Sequence, residues 1–480
     1  AARHMALAVD TAALYVARCG CETECAWAEG FAPDGALAQS VLRSMSLGQI
    51  LRLPQVVARV IRWSLAPHVA VQEIFDGNVN FSFQLSCHRG CTLFLKHATG
   101  FLKWHPQMAL EAERMKREVS YYRDVARVLG EDTAPEFQPA LLHFDEDCMV
   151  LVLQFLVDHE LLIERCFTSA DGVPAPAAQA LGRYLGLVHA STLEKEGREV
   201  ESAERAVTYW NHQLRAVQLE HVFTVCYQAS PQGRALAAGD ADFMAEVAEL
   251  KSRYLGYGTG GAGQRALCHG DCHAGSVMVA ADGLSVKVID PEFAVFAPPG
   301  LDVGSLLFAL VCGFIFRVQQ PAPTNSGDDE TLSARGGRTA ATDSLRDAIQ
   351  SVWASYSSEM LAAGTTQAEL RRLGEDAVGY AMCEVVRTSL GFAGARDPGR
   401  RLHSPEAVLR YQDVAVRLAQ RCMNGRRTAE PLADASAPME LLVRELEEAR
   451  LEEDKLGPFR IMPDDSSTRT NGNGSGHGTS

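Results

Sequence analysis

One short stretch of this chain crowds carboxylates, imidazoles and a hydroxyl between apolar runs. His269, Asp271, His273 and Ser276 occupy a polar loop after the apolar entry Ala266-Leu-Cys268. A strand-like run to Val279, a turn at Asp282-Gly283 and a second run from Val286 to Ile289 then deliver Asp290 and Glu292. Any one of these residues alone would be an ordinary turn or capping residue. Together, carboxylates and a hydroxyl at the ends of adjacent strands suit a hard cation such as Mg²⁺, which keeps several waters and takes one or two protein carboxylates plus phosphate oxygens. Asp290, Glu292 and Ser276 are the expected metal ligands, with Asp271 beside them as a separate carboxylate. This set fits phosphoryl transfer, which needs positioning and charge neutralisation more than covalent participation.

The same chemistry asks for a glycine turn over the phosphates and a strand lysine paired with a helix glutamate. Asp76-Gly-Asn-Val-Asn80 precedes Lys96 by one strand length, and Lys96 ends a strand from which its ammonium could bridge ATP phosphates and Glu118. Val79, Phe81, Phe83 and Leu85 alternate with Asn80, Ser82, Gln84 and Ser86, the period of a half-buried strand. Cys91 to Lys96 supplies the second strand of a hairpin. After Pro106, Met108, Met115, Val119, Tyr122, Ala126 and Leu129 predict a long amphipathic helix, which puts Glu118 at its buried stripe, where a charge needs a partner. Strands over Ala140–Phe144 and Met149–Phe155 complete a small sheet, and beyond residue 175 the chain turns mainly helical. The expected fold class is therefore α+β in two lobes, a small N-terminal sheet lobe and a larger, mainly helical C-terminal lobe, with a hinge at Phe155, Leu156 and Val157. The expected divisions are a helical extension over 1–66, the nucleotide-binding lobe over 67–157, the catalytic and substrate-binding lobe over 158–460 and a disordered tail over 461–480. Pro321 to Asp343 reads as a loop, and the last helix is expected to stop at Gly457-Pro458.

The whole chain has 480 residues, 47% hydrophobic and 22% charged, which is a globular composition. A net charge of −15 opposes nucleic acid and anionic membrane surfaces as partners, and it requires any anionic substrate to find its own cationic pocket or metal ion. The 13 cysteines show no framework spacing, and Cys19, Cys21 and Cys25 lack partners at zinc-ribbon spacing, so a reducing compartment is expected. The apolar runs Met149–Val157 and Ser305–Phe316 fall short of the ~20 residues that cross a bilayer.

The run His269-Gly-Asp-Cys-His-Ala-Gly-Ser276, followed by Asp290-Pro-Glu-Phe-Ala294 and Pro299-Gly-Leu-Asp302-Val-Gly304, resembles the 5-methylthioribose kinases. These belong to the wider group of aminoglycoside phosphotransferases and choline kinases with a protein-kinase-like fold. The resemblance extends from about Val69 to Leu456 and includes Asp76-Gly-Asn-Val-Asn80, Lys96-His-Ala, Asn211-His-Gln-Leu-Arg and Arg387-Thr-Ser-Leu-Gly-Phe-Ala393. It implies ATP-dependent phosphorylation of the 1-hydroxyl of S-methyl-5-thioribose, a methionine-salvage step, by a cytoplasmic enzyme that uses Mg²⁺ and forms a homodimer. By the same resemblance Asp271 is the catalytic base and substrate contact, and Asn80, Lys96 and Glu118 serve ATP. Phe155, Leu156 and Val157 read adenine, Asp290, Pro291 and Glu292 form the metal–ATP site, and Arg387 enters the sugar pocket. Four positions depart from the pattern. Thr388 replaces a second arginine, Ala274 a threonine, Cys272 a leucine and Gly394 a histidine. Losing a planar five-donor cation from a sugar pocket is not conservative. Two alternatives therefore stand beside this reading: a sugar, amino alcohol or aminoglycoside kinase of the same fold, and a pseudokinase-like nucleotide-binding protein without catalysis.

Overall fold

The period-two alternation is realised in the sheet, with Phe81, Phe83 and Leu85 opposite His97, Leu95 and Leu93 on one face and Ser82 opposite Lys96 on the other. In the computed structural model, strands β1 (Val69–Ile74), β2 (Phe81–Cys87) and β3 (Thr92–His97) run antiparallel. A small ribbon, β4 (Phe101–Leu102) with β5 (His105–Ala109), leads to helix α1 (Arg114–Phe137), and β6 (Leu141–Asp145) and β7 (Val150–Gln154) follow. The sheet order is β1-β2-β3-β7-β6, so β3 is central and Lys96 faces Ser82 on one neighbour and Leu151 on the other. Met115, Val119 and Tyr122 of α1 pack on Ala98, Leu151 and Leu153. The structure describes residues 69–456 apart from 75–78, 88–91, 104, 148, 257–263, 321–327 and 429–433. The expected extension 1–66, the Asp76-Gly77-Asn78 turn and the tail 461–480 lie outside the described residues.

One boundary differs from expectation. Met108 belongs to β5 and is exposed, and the helix begins only at Arg114, because residues 105–109 pair across the ribbon with Phe101 and Leu102. The seven-residue step from Met108 to Met115 spans a turn and carries no helical phase.

Phe155 to Val157 leave the sheet for β8 (His159–Leu161), which pairs with β10 (Val277–Ala280), itself paired with β11 (Val286–Val288). A second two-stranded piece joins β9 (Ala266–Cys268) to β12 (Val295–Ala297). Around these strands lie helices α2 (Ala175–Thr192), α3 (His212–Glu220), α4 (Ala241–Leu255), α5 (Gly300–Gln319), α6 (Asp328–Ala362), α7 (Gln367–Leu390), α8 (Pro405–Gly425) and α9 (Ala437–Leu456). The observed architecture is thus α+β, a small antiparallel sheet with its helix beside a larger helical part.

The apolar run expected to be too short extends into α5, which at 20 residues meets the length and composition of a bilayer-crossing helix. Every residue of α5 is buried within the fold, against α6, α7, α8 and α9, so its apolar surface is core. The loop expected over Pro321–Asp343 is corrected too, since α6 begins at Asp328. Leu345, Ile349, Val352 and Tyr356 of that helix are buried at helical spacing. Once that half is docked, each residue added toward the N-terminus closes one more hydrogen bond without a new nucleus, so the helix continues past the apolar period.

Helices α5 and α7 approach closely at Gly304, where an added Cβ would lie 2.6 Å from the Ala377 carbonyl oxygen and 2.8 Å from Tyr380 Cβ. Gly304→Ala is expected to lower unfolding free energy by about 1–3 kcal/mol through overpacking. An unchanged urea midpoint and slope would show that these helices separate at no cost.

Candidate active site

The loop between β9 and β10 is built around backbone groups that have no strand partner. His269 N–H donates to Asp302 Oδ2 at 2.6 Å and Gly270 N–H to Asp302 Oδ1 at 2.8 Å, so one buried carboxylate from the first turn of α5 accepts both. His269 Nε2 meets the Ile289 carbonyl at 2.8 Å, while its Nδ1 faces the Asp271 N–H at 3.3 Å, a pair of partners that selects the Nε2–H tautomer. Gly270 adopts φ +86°, and an added Cβ would lie 2.1 Å from the Phe293 carbonyl oxygen. The loop bearing Asp271 therefore rests directly on the turn bearing Asp290 and Glu292.

Asp271 meets Arg396, whose Nη1 donates to Oδ1 at 3.0 Å, and its Oδ2 lies 3.6 Å from His273 Nε2. Burial raises this carboxyl, but Arg396, then His273 and Arg387, outweigh burial and hold it at about 2. His273 accepts the Gly275 N–H at Nδ1, and burial drives its imidazole down to about 3. The carboxylate is thus ionised and the neighbouring imidazole neutral at pH 7.

On the sheet side, Lys96 Nζ donates to Glu118 at 2.8 and 3.0 Å and also meets Asp290. Burial opposes the Lys96 charge, and Asp290, Glu118 and Glu292 overcome it, so the ammonium is held well above its usual range. Burial pushes Glu118 upward, against the pull of Lys96. Asn80 donates through Nδ2 to Glu292 Oε2 at 2.6 Å, and its own Oδ1 accepts from Arg114 at 2.6 and 3.2 Å. Arg114 also donates to the carbonyls of Thr99, Leu110 and Glu111. Burial and Asp290 raise Glu292 against Lys96 and Arg114.

Asp290 itself has φ +68°, a left-handed backbone uncommon outside glycine and typical of functional turns. Its N–H donates to Tyr122 Oη at 3.3 Å, and Asn211 Nδ2 donates to the Glu292 carbonyl at 2.8 Å. Pro291 starts the short 3-10 turn to Phe293. Ser276 ends another such turn and its carbonyl accepts from the Ile289 N–H, which puts it next to the residue preceding Asp290. Around this turn three carboxylates, Glu118, Asp290 and Glu292, face two cations, Lys96 and Arg114, and the Asp290 side chain is 46% exposed. An all-oxygen donor set with an open carboxylate fits a hard divalent cation.

The structure thus brings together Asn80, Lys96, Glu118, Asp290 and Glu292, with Asp271 across the Gly270–Phe293 contact. Phe155 and Leu156 are half-buried and Val157 is exposed between β7 and β8, with the Val157 carbonyl 2.8 Å from His159 Nδ1. Arg387 is buried and hydrogen-bonds to Glu384 at 2.9 Å, acting on Asp271 through its field. Thr388 is buried, and its hydroxyl has no hydrogen-bond partner among the described residues. Sequence reasoning missed Arg396, Arg114 and the roles of Asp302 and Asn211. Of these, Asp302 and Asn211 fell inside motifs already singled out, whereas no spacing marks the two arginines.

The family described as "Phosphotransferase enzyme family" matches residues 83–325, just over half of the chain. This span holds every residue named above from Lys96 to Asp302 and ends before Arg387 and Arg396. A methylthioribose kinase of Pectobacterium carotovorum is 28% identical over 378 residues, covering 73% of this chain and 87% of its own length. One of Geobacillus kaustophilus is 27% identical over 402 residues, covering 80% and 94%. The solved structure of an ethanolamine kinase of Plasmodium vivax is 12% identical, with a TM-score of 0.43, covering 82% of this chain and 96% of that chain.

Removing the Asp302 carboxylate would strand two buried N–H groups. Asp302→Ala is expected to cost about 2–5 kcal/mol of stability. Hydrogen exchange would show the His269 and Gly270 amides opening before the rest of the core, and unchanged protection there would remove Asp302 from this role.

Proposed function

The chain belongs to the phosphotransferase enzyme family, and from that premise we propose that it transfers the γ-phosphoryl group of ATP to the 1-hydroxyl of S-methyl-5-thio-D-ribose, giving the 1-phosphate and ADP. Its acceptor is an alcohol group, as in that family. The observation that carries the reading is the packing of Gly270 on Phe293, which makes the Asp271 loop and the Asp290–Glu292 turn one wall. A phosphoryl donor held by the turn and an acceptor held by Asp271 then meet along that wall.

In this reading Asn80, Lys96 and Glu118 serve the phosphates, the backbone of Phe155, Leu156 and Val157 reads the adenine, and Arg387 lines the acceptor pocket. Asp290 and Glu292, with Ser276 nearby, would hold Mg²⁺, which when bound with ATP neutralises phosphate charge. Asp271 accepts a hydrogen bond from the acceptor hydroxyl and aims its oxygen at the γ-phosphorus. The new bond forms from that oxygen as the bond to the leaving oxygen of ADP breaks. A carboxylate held near 2 is a weak proton acceptor, so Asp271 chiefly orients the hydroxyl, and the proton passes to its carboxylate only late, as the oxygen–phosphorus bond forms and the alcohol oxygen becomes acidic.

Asp271 is paired with Arg396 and Glu384 with Arg387. In this reading the protein works as a homodimer in the cytoplasm, a compartment that suits its scattered cysteines.

A coupled ADP-release assay with Mg-ATP would compare S-methyl-5-thioribose, ribose, choline and an aminoglycoside. Selective turnover of the thioribose is expected, and preference for choline or the aminoglycoside would overturn the acceptor reading. Asp271→Asn should keep ATP affinity within about twofold and lower kcat by about 10²–10⁴-fold. Retained turnover would remove Asp271 from the reaction.

A further inference from the structure

Arg396 reaches Asp271 from 125 residues further along the chain. Its position is closely specified. Helix α7 ends where the Gly391 N–H donates to the Arg387 carbonyl at 2.8 Å, and the chain then passes through Gly394 at φ +59° into a single 3-10 turn, Gly394–Arg396. Beyond it Asp397 Oδ1 accepts the Gly399 N–H at 2.8 Å, which fixes the exit. A residue with a Cβ at position 394 would strain that left-handed step. The result is a guanidinium 18% exposed against a carboxylate 13% exposed, a geometry in which a charge-assisted hydrogen bond is strong.

We propose that Arg396 is a positioning residue for the transfer: its hydrogen bond to Oδ1 holds Asp271 in one orientation and leaves Oδ2 for the acceptor hydroxyl. The proposal rests on the reading of Asp271 as the acceptor's partner. The other charged or titratable groups acting on Asp271 are His269, Cys272 and His273 from its own loop, Tyr254 from α4, and Arg387 with Glu384 from α7. Of the cations, Arg387 is hydrogen-bonded to Glu384 and acts at longer range, and His273 is neutral. Arg396 is the cation in direct contact with Asp271 among the described residues.

Two readouts test this on the full chain. In protein labelled with carbon-13 at aspartate Cγ, the Asp271 signal, assigned by its loss in Asp271→Asn, would be followed from about pH 8 to about pH 4.5. The wild-type signal is expected to stay flat. In Arg396→Ala burial is less opposed, so the midpoint should rise by about two to three units, and protonation should begin within the range. Arg396→Lys should stay flat, whereas Arg396→Gln, which keeps a donor without the charge, should shift. The exposed Arg400→Ala serves as the control and should match the wild type. In steady-state assays Arg396→Ala should lower kcat about tenfold or more with the KM for ATP within about twofold, and Arg396→Lys should recover part of the loss.

Identical Asp271 titrations in wild type and Arg396→Ala would overturn the proposal. If the alanine variant does not fold, the lysine and glutamine variants decide it, and equal titrations in those two overturn it. Wild-type protein that turns over no hydroxylated acceptor would refute the acceptor reading, while the titration would still decide whether Arg396 governs Asp271.

Discussion

An ammonium as deeply buried as that of Lys96 persists only if carboxylates come to it, because removing an ion from water costs several kcal/mol that only close partners offset. Here they come from two distant stretches, Glu118 on the buried stripe of α1 and Asp290 after β11. Much of the site follows from that requirement. Helix α1 must lie against the face of the sheet that Lys96 addresses, and the Asp290 turn must close from the helical part onto the sheet part. The left-handed backbone of Asp290 costs about 1–3 kcal/mol. The Tyr122 hydroxyl and the Asn211 amide hold the turn in place.

A second constraint acts on the loop bearing Asp271. A polar loop sunk beneath helices needs acceptors for its N–H groups, and Asp302 supplies them from the first turn of α5, where the helix dipole favours a negative charge. The wholly buried α5 thereby does more than fill the core, since its N-terminal turn sets the height of the loop. Gly270 then packs directly on the Phe293 carbonyl, so the two loops share one contact with no room for a side chain between them.

The sheet was legible because Phe81, Phe83 and Leu85 fall on one face by strict alternation, and β2, β3, β6 and β7 ran within about two residues of their expected spans. Lys96 and Glu118 were legible because a charge on the buried stripe of a helix demands a partner, and Asp290 and Glu292 because two carboxylates close a short apolar strand. Legibility failed where tertiary contact decides. Met108 kept the helical spacing while pairing in a ribbon, and α6 continued through a stretch with no apolar period. Arg114 was hidden because its partners are largely backbone carbonyls and one amide, which leave no mark in a sequence pattern. Arg396 sits in a turn that only the fold returns to Asp271, although Gly394 and Asp397-Pro398 on either side are turn-forming residues.

The overall charge of −15 gives these local arrangements their importance. A triply or quadruply charged phosphate donor approaches a molecule whose net field repels it, so attraction has to come from groups close enough to escape screening, within a Debye length of about 8 Å at physiological salt. Lys96 and Arg114 are such groups, and the acids and amide about the Asp290 turn hold them in place. Asp271 and Glu384 are each matched by a guanidinium of their own, so about them hydrogen-bond geometry, more than net charge, is what the fold specifies.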